Sequence, residues 1–182
     1  MLELENTYLL KEFPKGFFEY LEKGESKYVK GKKEIIDIYL PIESKHPKIR
    51  IRKNGEKYEI TKKFPLNEGD ASVQKEQTIN LTESEFNIFN KLCGKKVHKI
   101  RYLYDYNGKI AEIDIFMGDL KGLIVVDFEF IDELEKNNFV MPSFCLADIT
   151  QEEFIAGGMI AGKKYSDLNI YLEKYGYKEF II

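Results

Sequence analysis

The sequence predicts an α+β domain whose antiparallel β-sheet closes into a barrel with charged side chains inside. Strand-like segments joined by tight turns fill the first two thirds of the chain, and helical segments lie between the hairpins. In seven of these strands, ionisable side chains occupy one face and apolar side chains the other, and opposite signs tend to belong to different strands. Closing such a sheet would bring the two signs together across a lumen and would leave no exposed sheet edge.

Strand character is carried by segments in which apolar and polar residues alternate, or in which β-branched and aromatic residues are concentrated. The N-terminal segment is an example, because Leu2 and Leu4 alternate with Glu3 and Glu5. Eight segments are predicted as strands: residues 2–10, 34–40, 49–52, 57–63, 74–81, 97–104, 110–116 and 123–130.

Turn and cap residues mark the boundaries of these elements. Asn54-Gly55 and Asn107-Gly108 each predict a hairpin, since an Asn-Gly pair readily adopts the positive φ angles of a tight turn. Thr82 and Glu85 have the spacing of a capping box, which predicts a helix start. Helices are predicted over residues 17–23, 83–91, 150–160 and 165–175, whereas residues 30–33 are expected to form a solvated turn.

Length and composition exclude several classes of protein. The 182 residues predict a single domain, 1–182. Charged residues make up 32% of the chain at a net charge of −3, which argues against a polybasic nucleic-acid binder. A hydrophobic share of 43% argues against a disordered chain, and no apolar run approaches the roughly 18 residues of a membrane helix. Cys93 and Cys145 favour a reduced, cytoplasmic setting, and the expected state is a monomer or homodimer without membrane or nucleic-acid partners.

The ionisable faces of the strands carry the candidate functional residues. Alternate residues of a strand point to opposite faces, so Arg50 and Arg52 share a face, as do Lys99 and Arg101. Five cations belong to this set: Arg50, Arg52, Lys63, Lys99 and Arg101. Seven carboxylates occupy the corresponding faces of other strands: Glu3, Glu5, Glu76, Glu112, Asp114, Asp127 and Glu129. A sheet with one face in water is the alternative, but separation of the signs over seven strands favours a charged lumen.

Buried charges must be compensated, because an ion taken out of water without a partner is very costly. The five cations could balance a polyanion such as a polyphosphate. The carboxylates exceed what those cations need, and this surplus suggests bound divalent cations with oxygen ligands, Mg²⁺ or Mn²⁺. Cations around a polyphosphate together with metal-binding carboxylates are the ingredients of phosphoryl transfer.

A set of short motifs, in order along the chain, resembles the CYTH domain, or triphosphate tunnel metalloenzyme, family. The motifs are Glu3-Leu4-Glu5, Arg50-Ile51-Arg52, Thr61-Lys62-Lys63, Lys99-Ile100-Arg101, Glu112-Ile113-Asp114-Ile115-Phe116, Gly118-Asp119-Leu120-Lys121-Gly122-Leu123, Asp127-Phe128-Glu129-Phe130 and Asp148-Ile149-Thr150. The resemblance implies an eight-stranded antiparallel tunnel, with helices packed outside, that holds a triphosphate and uses Mg²⁺ or Mn²⁺. Members include inorganic, thiamine and RNA triphosphatases and class IV adenylate cyclases.

The resemblance also implies roles for individual residues. Triphosphate binding is expected from Arg50, Arg52, Lys63, Lys99 and Arg101, and metal binding from Glu3, Glu5, Glu76, Asp127 and Glu129. Catalytic roles are expected for Glu3, Glu5, Lys63 and Arg101, while Glu112 and Asp114 are supporting acids that position the cations. Three positions depart from the family pattern: Thr7 replaces a lysine, Thr78 replaces a second glutamate, and residues 153–158 replace a late R-Y-x-N element.

The leading functional hypothesis is metal-dependent hydrolysis of a small triphosphate, either inorganic tripolyphosphate, thiamine triphosphate or a nucleoside triphosphate. The first alternative is a class IV adenylate cyclase that makes cyclic AMP from ATP in the same site. The second alternative is a module that binds triphosphate or nucleotide without turnover, and Thr7 is its main support.

Overall fold

The computed structural model describes residues 2–45, 49–65 and 73–181, with the side chains of Leu2, Glu3 and Pro65 outside the described set. Within these ranges nine strands form one antiparallel sheet. The strands are β1 (Leu2–Leu10), β2 (Val29–Leu40), β3 (Ile49–Asn54), β4 (Lys57–Pro65), β5 (Val73–Leu81), β6 (Lys95–Tyr106), β7 (Lys109–Phe116), β8 (Ile124–Phe130) and β9 (Cys145–Asp148).

Eight of the strands close into a barrel, as predicted. The order is β5-β4-β3-β2-β6-β7-β8-β1, and β5 pairs back onto β1 with Leu4 opposite Val73. The other half of the same β1 edge pairs with β9, where Tyr8 lies opposite Asp148. β9 was not predicted, because its four residues are too short for a period of two to stand out.

Both Asn-Gly hairpins are confirmed. β3 and β4 pair with Asn54 opposite Lys57, and β6 and β7 pair with Tyr106 opposite Lys109. Asn107 and Gly108 have φ angles of 55° and 88°, which is the left-handed backbone that a two-residue turn of this kind requires.

The helices are short. They are α1 (Phe17–Lys23), α2 (Glu83–Phe89), α3 (Glu133–Asn138), α4 (Gly157–Ile160) and α5 (Asn169–Leu172). The capping box that starts α2 is confirmed, since the Thr82 hydroxyl accepts from the Glu85 amide and the Thr82 amide donates to the Glu85 carboxylate at 2.7 Å. No helix among the described residues combines the length and the apolar character needed to cross a membrane.

The prediction of one helix over residues 150–160 is wrong. A 3₁₀ turn (Glu153–Ile155) and the four-residue α4 occupy this segment instead. Gly157 and Gly158 are adjacent there, and glycine is a poor helix former, so a longer helix would be costly. Residues 165–175 are helical but divided between a 3₁₀ turn (Tyr165–Leu168), α5 and a second 3₁₀ turn (Glu173–Tyr175).

The apolar faces of the strands point outward, as predicted, and much of this surface is covered. Tyr8, Ile113 and Phe128 pack with Phe17 of α1 and with Phe144, which precedes β9. A smaller cluster on the outside of β2 and β3 packs against Phe86 of α2. Burial of this apolar surface leaves the opposite, inward face of each strand free to carry charge.

One end of the lumen is apolar. Inward-facing residues there come from five strands and are Leu9, Tyr39, Val97, Phe116 and Val125. They pack against Ile149, Phe154 and Ile160, which follow β9. The segment after β9 therefore forms an apolar base for the lumen, and the charged inward positions lie between this base and the other end of the barrel.

A charged cavity inside the barrel

A cavity of about 750 Å³ occupies the lumen, within the range of small-molecule sites. Inward residues of all eight barrel strands line it, and residues 149–153, 155–158 and Ile160 complete the lining beside the apolar base. The period-two arrangement of each strand is what brings these side chains together, because every second residue points inward.

The cavity contains nearly all of the predicted site residues. The five predicted cations line it: Arg50, Arg52, Lys63, Lys99 and Arg101. Six of the seven predicted carboxylates line it as well: Glu5, Glu76, Glu112, Asp114, Asp127 and Glu129. The seventh, Glu3, lies in β1 with its backbone opposite Gln74, and its side chain is outside the described set.

On the β6–β8 wall, defined here as Lys99, Arg101, Glu112, Asp114 and Asp127, cations and acids are densely paired. Arg101 lies directly opposite Asp114 and donates two hydrogen bonds to it, from Nε and from Nη2, each at 2.6 Å. The same guanidinium donates to Glu112 through Nη1 and to Asp127 through Nη2 at 3.1 Å. Lys99 also donates to Asp114, which is 1% exposed. Glu112 and Asp114 thus accept hydrogen bonds from the cations of this wall.

Burial and charge act against each other on this wall. Burial alone would raise the pKa of Asp114, but the neighbouring charges of Arg101 and Lys99 outweigh it and hold that pKa far below its ordinary value. Burial lowers the pKa of Lys99 despite the attraction of Asp114. Burial raises the pKa of Asp127 against the opposing charge of Arg101.

Thr7 completes this wall from β1. Its backbone lies opposite Asp127, and its hydroxyl donates a hydrogen bond to Asp127 Oδ1 at 2.9 Å. The Thr7 amide donates to the Thr150 hydroxyl at 3.0 Å, which ties the edge of β1 to the segment after β9. Where the family pattern has a lysine, this chain has a neutral hydrogen-bond donor.

Asp37 is a buried acid of the cavity that the sequence analysis missed. It lies opposite Arg52 and accepts hydrogen bonds from Arg52 Nε at 2.6 Å and Nη2 at 2.8 Å. Burial alone would raise its pKa, but the Arg52 charge and hydrogen bonds lower the pKa to about 2. The sequence signal for Asp37 is a single aspartate between Ile36 and Ile38 in a predicted strand. Assigning the residues of this strand to its two faces would have placed Asp37 on the face opposite these isoleucines.

On the β3–β5 wall, defined here as Arg50, Lys63 and Glu76, the pairing is looser. Glu76 lies 3.3 Å from Lys63 Nζ and 3.9 Å from Arg50 Nη2, and it accepts a hydrogen bond from Thr78 at 2.6 Å. Burial would raise the pKa of Glu76, but this hydrogen bond and the two cations lower it overall. The Nε of Arg50 is buried and has no hydrogen-bond partner among the described residues.

The carboxylates that fit a divalent cation best lie where β1 meets β8. Glu5 and Glu129 are direct cross-strand partners, and like charges in such a pair repel unless a cation is shared between them. Glu3 lies two residues before Glu5 in β1, with its backbone opposite Gln74. Carboxylate oxygens suit Mg²⁺ and Mn²⁺, although the described side chains assemble no group of three metal-binding residues.

Lys33 also lines the cavity, contrary to the expected solvated turn. The strand β2 begins at Val29, so residues 30–33 lie within it and Lys33 falls on the inward face. Residues 30–33 were not predicted as a strand because this lysine-rich run shows no alternation between apolar and polar residues.

Comparison with known proteins agrees with this architecture. An inorganic triphosphatase of Nitrosomonas europaea is 27% identical over 155 residues, which cover 84% of this chain and 92% of that protein. The crystal structure of an inorganic triphosphatase superposes with a TM-score of 0.60 at 21% identity, covering 88% of this chain and 95% of that one. A further crystal structure of the same protein gives a TM-score of 0.61 at 23% identity, covering 89% and 99%.

No family model matches the sequence. The closed eight-stranded barrel and these similarities confirm the resemblance of the chain to the CYTH, or triphosphate tunnel metalloenzyme, family.

Proposed function

We propose that this chain hydrolyses a small triphosphate held in the barrel cavity. The observation that carries the proposal is the convergence of all five predicted phosphate-binding cations on one cavity, with the Nε of Arg50 buried and unpartnered among the described residues. A buried donor without an acceptor is unfavourable, and a phosphate oxygen would satisfy it. The similarity to an inorganic triphosphatase supports the same substrate class.

The charges of the cavity support a requirement for divalent metal. Ten carboxylates and six cations among the described residues line it, an excess of four acids. A highly anionic triphosphate would be repelled from such a lumen unless further positive charge entered with it. Glu5 and Glu129, with Glu3, would hold Mg²⁺ or Mn²⁺, and Glu76 and Asp127 lie on the neighbouring walls. When bound, the metal would neutralise phosphate charge and lower the pKa of a water molecule.

The side chains of the chain itself would bind and orient the phosphates. Arg50 and Lys63 lie 3.9 and 3.3 Å from Glu76, longer distances than those on the β6–β8 wall, and would turn toward phosphate oxygens. Arg52, Lys99 and Arg101 are fixed in direction by buried acids and would present preorganised positive charge to the charge that develops on the transferring phosphoryl group. Fixed dipoles and charges need no rearrangement at the moment of reaction, which is how such a site lowers the barrier.

Phosphate release from tripolyphosphate tests the proposal. The purified chain is incubated with tripolyphosphate in Mg²⁺, in Mn²⁺ and in EDTA, and phosphate and pyrophosphate are quantified. We expect both products with a divalent metal and neither in EDTA. Lys63→Gln should reduce the rate at least tenfold because it removes a cavity cation, whereas Lys62→Gln, the exposed neighbour on the outer face of β4, should leave it unchanged.

Parallel incubations with thiamine triphosphate and ATP identify the physiological class of substrate. Cyclic AMP and pyrophosphate from ATP would mean a cyclase rather than a hydrolase. Tight tripolyphosphate binding in calorimetry without any product would mean a binding module. Absence of phosphate release with either metal from neutral to alkaline pH would contradict hydrolysis.

A further inference from the structure

Lys33 is a cavity cation that no motif assigned to the site. It lies on β2 next to the β3–β4 turn, where the Gly55 amide donates to the Glu34 carbonyl at 2.8 Å. Its direct cross-strand partner is Arg101 on β6. Since the Cβ atoms of cross-strand partners lie about 5 Å apart, Lys33 and Arg101 are side by side on the cavity wall.

These two neighbours differ in how their charge is neutralised. Arg101 donates to three carboxylates of the β6–β8 wall, so its charge is already compensated by the protein. Lys33 forms no hydrogen bond or ion pair with any residue that the structure describes, and its side chain is only partly exposed. Positive charge available to a ligand beside Arg101 therefore resides on Lys33.

The strand β1, which pairs with β8 at the other side of the β6–β8 wall, supplies no cation that could replace Lys33. Among the described side chains of β1, the inward residues are Glu5, Thr7 and Leu9, and none is a cation. Lys33 is also far from the apolar base. Tyr39 lies six positions further along β2, a distance of about 20 Å at about 3.3 Å per residue of an extended strand.

We propose that Lys33 is a substrate-binding residue that contacts a phosphate group at the end of the cavity away from the apolar base. This inference rests on the proposed function and deepens it, because it names a cation beyond the five that the motifs assign. A compact ammonium on a flexible stem suits this place, since it can follow an entering polyanion and bind it as a point charge. Its effect is expected on substrate capture rather than on the chemical step, because it lies beside the preorganised wall and not within it.

The test compares two adjacent lysines with the same change of charge. Lys33→Gln removes the inward cation, and Lys32→Gln removes the exposed cation on the outer face of the same strand. We expect Lys33→Gln to raise the KM for tripolyphosphate with Mg²⁺ by roughly five- to twentyfold. Its kcat should change by less than about twofold, and its dependence of kcat/KM on ionic strength should be weaker than that of the wild type. Lys32→Gln should match the wild type.

Equilibrium binding of a non-hydrolysable imido analogue of tripolyphosphate, measured by calorimetry in Mg²⁺, separates the possible failures. If the wild type turns over tripolyphosphate or binds the analogue and Lys33→Gln matches it within twofold, the role of Lys33 is overturned while the proposed function stands. If Lys32→Gln raises the KM for tripolyphosphate as much as Lys33→Gln does, the effect is one of net charge, and the assignment of Lys33 to substrate binding is again overturned. If the wild type neither hydrolyses tripolyphosphate nor binds the analogue, the proposed function fails and the role of Lys33 fails with it.

Discussion

The β6–β8 wall and the β3–β5 wall face each other across one cavity, yet they handle charge differently. On the first, Arg101 and Lys99 share Asp114 as a partner, and Arg101 reaches two further carboxylates. On the second, one carboxylate, Glu76, lies between Lys63 at 3.3 Å and Arg50 at 3.9 Å. The side chain of Asp114 is 1% exposed, whereas that of Glu76 is 23% exposed.

The difference suggests a division of labour within the barrel. Side chains fixed by several short hydrogen bonds cannot turn far, so the β6–β8 wall supplies positive charge of fixed direction and contributes to the stability of the fold. Side chains held by longer, partly solvated contacts can turn toward a ligand, so the β3–β5 wall is better suited to grip one. Substitutions on the β6–β8 wall should therefore lower the free energy of unfolding, whereas substitutions on the β3–β5 wall should lower the affinity for the triphosphate.

The largest expected effect is that of Asp114→Asn. It leaves Lys99 and Arg101 buried with one charge partner removed, and breaking a buried ion pair in this way costs about 3–5 kcal/mol. The free energy of unfolding should fall by that amount in urea titrations monitored by circular dichroism. Stability equal to that of the wild type would show that Glu112 and Asp127 alone satisfy Arg101, and the proposed division would then lose its main support.

The next effect concerns Asp37, whose pairing with Arg52 resembles that of the β6–β8 wall. Its pKa is lowered to about 2 in the folded protein, against about 3.9 in an unfolded chain. A lowered pKa contributes stability above the unfolded value and loses it as pH falls through the folded value. This contribution is about 2–3 kcal/mol, so the stability advantage of the wild type over Asp37→Asn should shrink by that amount between about pH 5 and pH 2.

Unfolding free energies of the wild type and Asp37→Asn at several acidic pH values provide the measurement. Glu76→Gln serves as a comparison, because its carboxylate is more exposed and more loosely held. A gap between wild type and Asp37→Asn that stays constant down to pH 2 would mean that the Asp37–Arg52 pair does not contribute through its charge.

Much of the barrel could be predicted because local patterns coincide with the fold. Asn107-Gly108 forms the predicted hairpin, Thr82 caps the predicted helix, and the alternation in residues 2–10 gives the observed inward face of β1. The segment after β9 could not be predicted in the same way. Its conformation depends on the packing of Ile149, Phe154 and Ile160 at the base of the barrel. The local spacing of apolar residues does not predict such a long-range contact.

The same distinction applies to the cavity. Its cations and acids were identified where apolar neighbours on the opposite face revealed the period of the strand, as with Ile100 beside Arg101. Lys33 was missed because its neighbours are polar, and Asp37 because only its pairing with Arg52 across the register of β2 and β3 reveals its role. The cross-strand register determines which cations are paired with acids, and this register cannot be read from a single sequence.

A smaller effect, on binding rather than stability, is expected for Arg50→Gln. The substitution removes the buried Nε donor, which has no partner among the described residues, and a 3.9 Å ion pair with Glu76, so little stability should be lost. Loss of a charge-assisted hydrogen bond to phosphate is worth about 1.5–3 kcal/mol, or roughly 10- to 150-fold in affinity. Calorimetric titration with tripolyphosphate measures this change, and urea unfolding provides the control. Unchanged affinity together with lowered stability would assign Arg50 a structural role and reverse the comparison of the two walls.

The smallest expected effect is that of Glu76→Gln on stability. The ion pairs of Glu76 are long and partly exposed, and pairs of this kind contribute about 0–1 kcal/mol. Its hydrogen bond from Thr78 survives in the amide, which can still accept it. The urea midpoint should therefore move by at most about a third of the shift expected for Asp114→Asn, since at most about 1 kcal/mol is set against about 3–5 kcal/mol. Equal shifts for the two variants would mean that both walls are structural, and the grip on substrate would then have to come from cations outside the two walls, Lys33 first among them.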